Sequence, residues 1–200
     1  MKRIAIIVLA AALALCAACT PVEPENVNVA PADIEAAISS ALGEGYLCDT
    51  AIDADRLADY YGLDMSKVEG FAAKENAVSS VYLDTVVILE VADGYADEAV
   101  EAFNAAFAQS AGYVRMYPFD AAKVLGARIF KSGNYVAYII AGAAAGEDAT
   151  AEDEARLASD EYAKVDAAWQ SIFGAAPENL AVVPEDDGGQ GGMFGGLIGG

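Results

Sequence analysis

Three cysteines, an abundance of acids and ten tyrosines are the side chains of this chain that can do chemistry, and histidine is absent. Lack of histidine removes the commonest general base and the commonest metal ligand together. It excludes Ser-His-Asp and Cys-His catalysis and most zinc sites. There is no nucleophile elbow, no P-loop and no dinucleotide fingerprint. Carboxylate pairs remain, but with 31 acids in 200 residues any one pairing is expected by chance. Asp49, Asp53 and Asp55 have the spacing of a calcium-loop fragment, without the glycine and distal glutamate such a loop needs. The sequence therefore predicts a non-enzymatic protein with no cofactor and no metal. Tyr113, Tyr117, Tyr135 and Tyr138 lie near one another along the chain and are the candidate binding surface, because tyrosine offers a flat amphipathic ring. The competing reading is that tyrosine simply suits half-buried strands.

Cys16 and Cys19 form a C-x-x-C pair in "ALALCAACT", but the surroundings are wrong for redox work. Met1-Lys2-Arg3 is a basic start, residues 4–15 are unbroken apolar sequence, and small residues follow. That is the layout of a secretory signal, too short for a membrane span. Small side chains must precede the cleavage point. Ala17-Ala18 precede Cys19, whereas bulky Leu15 precedes Cys16. This stretch resembles the lipobox of bacterial lipoprotein precursors, with Cys16 standing where leucine is usual. The resemblance implies that Cys19 becomes the first mature residue and carries diacylglycerol on sulfur and an acyl chain such as palmitate on nitrogen. The expected location is the extracytoplasmic side of the cell membrane, anchored by lipid. Cys48 is then the one unmodified cysteine, expected as a small buried apolar residue.

The whole chain carries a net charge of −20; without Lys2 and Arg3, 9 basic residues face 31 acids, giving −22. Nucleic acid is excluded as a partner, since its binding needs a basic footprint. Residues 19–30 read as a tether with two prolines and no helical period. Eleven extended residues span roughly 35–40 Å, well beyond the screening length of about 8 Å, so the domain stands clear of anionic head groups. The domain is expected over residues 31–174. Residues 175–200 are acidic and then glycine-rich, which predicts a disordered tail.

The elements that must position any site follow from periodicity. "PADIEAAISSALG" and "DADRLADYYG" are short helices, each stopped by glycine. Asp64 is placed to cap a single turn before a strand at 69–74. "VYLDTVVILEV" is the clearest strand, and "DEAVEAFNAAFAQSAG" an amphipathic helix closed by Gly112. "AKVLGARIFKSGNYVAYIIAG" is a hairpin turning at Gly133-Asn134. A long helix at 150–173 completes the order, with Tyr162, Val165, Trp169 and Ile172 on one stripe. The class is α+β: an antiparallel sheet of about four strands, in two hairpin-like pairs, with helices packed on one face.

"YYGLD" at 60–64 followed by "VEGF" at 68–71, "TVVILEV" leading into "ADEAVEAFNAAF", and "ARIFKSGNYVAYIIAG" together resemble a family of bacterial lipoproteins, the domain of unknown function 4358 family. The likeness covers about 33–142. The family has no established activity, so it implies no catalytic or binding residue here. The expected function is a membrane-anchored binding module for an envelope protein or a small-molecule ligand. The alternative is a structural or accessory envelope protein without a pocket. A concavity lined by tyrosines would favour the first.

Overall fold

The computed structural model describes residues 27–78, 82–146 and 148–185. The signal segment, Cys16, Cys19, most of the tether and the glycine-rich end lie outside the described residues. Helix α1 (Pro31–Leu42) begins on a proline, which fits a first turn, and ends at Gly43 with φ of 56°. The two-residue strand β1 (Thr50–Ala51) leads to α2 (Ala54–Tyr61), capped by the Asp53 carboxylate accepting from the Arg56 amide and closed by left-handed Gly62. Asp64 accepts from the Ser66 amide and starts the expected single turn. Strands β2 (Val68–Glu75) and β3 (Thr85–Val91) follow, then α3 (Ala96–Met116), the short α4 (Ala121–Leu125), the hairpin β4 (Arg128–Ser132) and β5 (Tyr135–Ile140), and α5 (Ala151–Phe173). Thr150 and Asp153 form a reciprocal capping box at the start of α5.

The α+β class and the antiparallel pairing stand: the order is β1-β2-β3-β5-β4 and every pair is antiparallel. Two hairpin-like pairs, β2–β3 and β4–β5, join through β3 and β5, with Val87 opposite Tyr138. A fifth strand, β1, adds to the expected four and is short because only Thr50 and Ala51 pair with β2.

Three expectations are corrected. Helices cover both faces of the sheet, not one. Val87, Leu89, Val136 and Tyr138 face a cluster with Leu57, Phe103 and Phe107 from α2 and α3. Val86, Ile88, Ala137 and Ile139 face Ile34 and Ile38 of α1 and Val165 and Trp169 of α5. The cause is visible in "TVVILEV" and "YVAYII": a nearly continuous apolar run has no face to give to water. Second, Gly112 does not close α3. The helix runs one more turn because buried Val114 anchors it beyond the glycine. Third, the chain after Gly174 is not all tail. The Asn179 side chain accepts from the Ile129 amide at 3.0 Å and donates to the Ala127 carbonyl at 2.9 Å. The Leu180 amide donates to the Ile129 carbonyl at 2.8 Å. Asn104 of α3 bonds Leu180 and Val182, and Arg115 donates to the Pro184 and Glu185 carbonyls. Asn179 and Leu180 thereby satisfy the outward amide and carbonyl of Ile129 on the open edge of β4, groups whose need for partners sequence periodicity does not announce.

Among the described residues no helix is long and apolar enough to cross a membrane.

Candidate functional site

Where β3 begins, the end of α2, the end of β2 and the middle of α3 do not close on one another. The gap is a cavity of about 320 Å³. Consecutive Tyr60 and Tyr61 come from the last turn of α2, Tyr82 and Leu83 from the approach to β3, Ser110 from α3 and Tyr138 from β5. A shallower hollow of about 640 Å³ continues from it along α3, sharing Tyr60, Leu83 and Ser110 and reaching Tyr113 and Met116.

Hydroxyl groups line the floor. The Tyr61 and Thr85 hydroxyls lie 3.1 Å apart, and Thr85 Oγ1 also donates to the Lys74 carbonyl at 3.4 Å. The Tyr138 hydroxyl donates to Ser110 Oγ at 3.4 Å. Burial pushes the Tyr61 phenol up to about 12 and the Tyr138 phenol up as well, so both remain O–H groups at neutral pH. The rings pack edge-on: Tyr60 to Tyr61 at 4.9 Å and Tyr61 to Tyr138 at 6.1 Å between centroids. On the rim, Arg56 Nη2 meets Glu75 Oε2 at 2.7 Å, and the guanidinium sits 5.8 Å from the Tyr60 centroid.

Asp84 of the cavity wall belongs to a buried charge cluster. Lys123 Nζ donates to both oxygens of Asp84, at 3.0 and 3.1 Å, and to the Gly142 carbonyl at 3.4 Å. It also lies 3.1 Å from Asp120 Oδ2, an ion-pair distance without hydrogen-bond geometry, so that oxygen has no hydrogen-bond partner. The other oxygen of Asp120 accepts from the Ala145 amide. Asp120 adopts φ of 51°, a left-handed conformation that aspartate tolerates better than most residues. Two carboxylates thus share one ammonium. Burial, followed by the nearby Asp120, raises the carboxyl pKa of Asp84 against the pull of Lys123. The cluster joins the start of β3 to α4 and to the chain leaving β5.

The tyrosines singled out by sequence separate into two sets. Tyr138 lines the cavity and Tyr113 the hollow beside it. Tyr117 stacks on Tyr113 with centroids 5.1 Å apart and is largely exposed. Tyr135 is buried on the opposite face of the sheet, against Phe173 of α5. Reasoning from sequence missed Tyr60, Tyr61 and Tyr82. Tyr60 and Tyr61 were visible only as part of "YYGLD". Cys48 is buried with a free thiol, as expected, and burial pushes its pKa up, the reverse of an activated thiolate. Asp49 and Asp53 serve as local hydrogen-bond acceptors for Thr50 and the α2 amide end. Among the described residues no three metal-binding side chains come together. Cys19 falls outside them.

The profile of the family described as "Domain of unknown function (DUF4358)" matches residues 46–141. Residues 46–141 belong to that family. The DUF4358 domain thus contains every residue of the cavity and of the Asp84–Lys123–Asp120 cluster, while α1 and α5 lie outside it. No curated protein and no solved structure matches the chain.

Proposed function

We propose that the chain is an extracytoplasmic binding module, held at the cell membrane by lipid on Cys19, which takes a small ligand in the tyrosine-walled cavity of its DUF4358 domain. One observation carries this reading. The cavity is concave and of ligand size, and its walls combine aromatic rings with hydroxyl groups. The reading is non-catalytic because the charged groups lining the cavity are already paired, Arg56 with Glu75 and Asp84 with Lys123. The tether supports a domain held off an anionic surface, as argued from the sequence.

The anchor is tested by metabolic labelling with a fatty-acid probe. Cys19→Ser should abolish labelling and membrane retention, while Cys16→Ser should keep both; the opposite result refutes the anchor. The cavity is tested on the whole chain in detergent by ligand-detected NMR against a mixed library of neutral, charged and aromatic small molecules. A hit lost in Tyr60→Ala is expected. A hit that survives Tyr60→Ala and Tyr82→Ala binds elsewhere and refutes the cavity as the site.

A further inference from the structure

Resting on that reading, we infer that the ligand is a neutral polyhydroxylated ring, one or two sugar units in size, stacked on Tyr60. Tyr60 is held edge-on by Tyr61 and flanked by the Arg56 guanidinium, yet 46% of its surface stays exposed. It is a fixed aromatic platform at the mouth of a cavity of about 320 Å³, near the lower end of ligand-site volumes. The C–H face of a sugar ring packs on such a surface, and its hydroxyls need donors and acceptors. The hydroxyls of Tyr61, Thr85, Ser110 and Tyr138 keep acceptor lone pairs, their protons being engaged with one another and with the Lys74 and Ala106 carbonyls, and the Arg56 guanidinium on the rim adds donors.

Charge selects the neutral form. The Arg56–Glu75 pair on the rim offers a donor and an acceptor side by side, but no net charge. Asp84 is held by Lys123 on two oxygens. An anionic ligand finds no counter-charge without taking Arg56 from Glu75 or Lys123 from Asp84, and the net charge of −20 disfavours it further; a cationic ligand, which that net charge attracts, reaches a carboxylate of the cavity wall only by displacing Arg56 or Lys123. A neutral sugar loses nothing by this arrangement.

The test uses one ring in three charge states: N-acetylglucosamine, glucosamine and glucuronic acid. Glucose, galactose and mannose accompany them. Saturation-transfer NMR and calorimetry are run on the whole chain in a detergent without a sugar headgroup. At least one neutral sugar should bind below about 10 mM, and the two charged rings about tenfold more weakly or not at all. Tyr60→Phe should keep the affinity, and Tyr60→Ala should lower it about tenfold or more, with an unchanged circular dichroism spectrum. Equal or tighter binding of glucosamine or glucuronic acid overturns the inference. So does the absence of neutral-sugar binding. In that case, a charged or aromatic compound from the mixed library that binds and is lost in Tyr60→Ala leaves the binding module standing and removes only the sugar. If no compound of the library binds, both readings fall.

Discussion

The two faces of the sheet are built from the same strands and finished differently. Towards α1 and α5, Trp169 packs on Phe130 at 5.2 Å and on Phe173 at 4.4 Å, and Tyr135 lies against Phe173. The side chains there are sealed. Towards α2 and α3, the same alternation presents Tyr138, whose hydroxyl looks into a cavity at the end of the layer. The sealed face is covered by helices outside the family match, and the open face by helices inside it. Under the proposed function, stability and recognition fall on opposite sides of one sheet. α1 and α5 bury apolar surface so that α2 and α3 need not close completely.

Breaking the sealed face should have the largest effect. Trp169→Ala removes the largest fully buried side chain and should cost about 3–5 kcal/mol in denaturant unfolding, a large share of the roughly 5–15 kcal/mol of a typical domain. A cost below about 1 kcal/mol would mean that α5 is an accessory arm rather than part of the core.

Lys123→Met comes next. It leaves Asp84 and Asp120 buried without their ammonium and should cost about 3 kcal/mol at neutral pH. Adding Asp84→Asn should recover part of that loss. Asp84 also sets a pH dependence. Its native pKa lies above the ordinary 3.8, so across the interval between the two values the native state binds more protons than the unfolded state. The stability of the wild type relative to Asp84→Asn should therefore fall as pH rises from below 3.8. A rise over that range would mean that Lys123 outweighs burial.

A smaller loss is expected at the β4 edge. Asn179→Ala removes partners from the Ile129 amide and the Ala127 carbonyl, for about 1–3 kcal/mol. Hydrogen exchange should quicken at Ile129 before it quickens in β3. The smallest effect belongs to the open face. Tyr60→Ala loses an edge-on contact with Tyr61 and should cost about 0.5–1.5 kcal/mol, while removing ligand binding. If it destabilises as much as Trp169→Ala, Tyr60 is packing and the contrast between the faces fails.

Sequence periodicity placed α1, α2, α5 and the Gly133–Asn134 turn, because each carries its own cap or turn residue. Burial of both sheet faces was readable in "TVVILEV" had its even positions been taken as core. The separation of Tyr135 from Tyr138 was readable too. Three residues apart on a strand means opposite sides. The cavity was not legible. Its walls come from α2, β2, β3, α3 and β5, and only tertiary packing brings Tyr60, Tyr82, Ser110 and Tyr138 together. The buried partnership of Lys123 with Asp84, 39 positions earlier, has no sequence pattern either.

The strap over β4 also fixes an order of events in biosynthesis. Asn179 follows Ile129 by 50 residues. At synthesis rates of about 5–20 residues per second, the β4 edge exists for roughly 3–10 s before its cover is made. At the other edge β1 precedes β2 in the chain, so the short cover that Thr50 and Ala51 give the Glu75 end of β2 is at hand as soon as β2 forms. Of the two margins it is the one at β4 that stays sticky while its cover is still being made. A message truncated after Gly174 would leave the sticky margin permanently open, yielding a product with a nearly complete core that pairs edge to edge with its own copies.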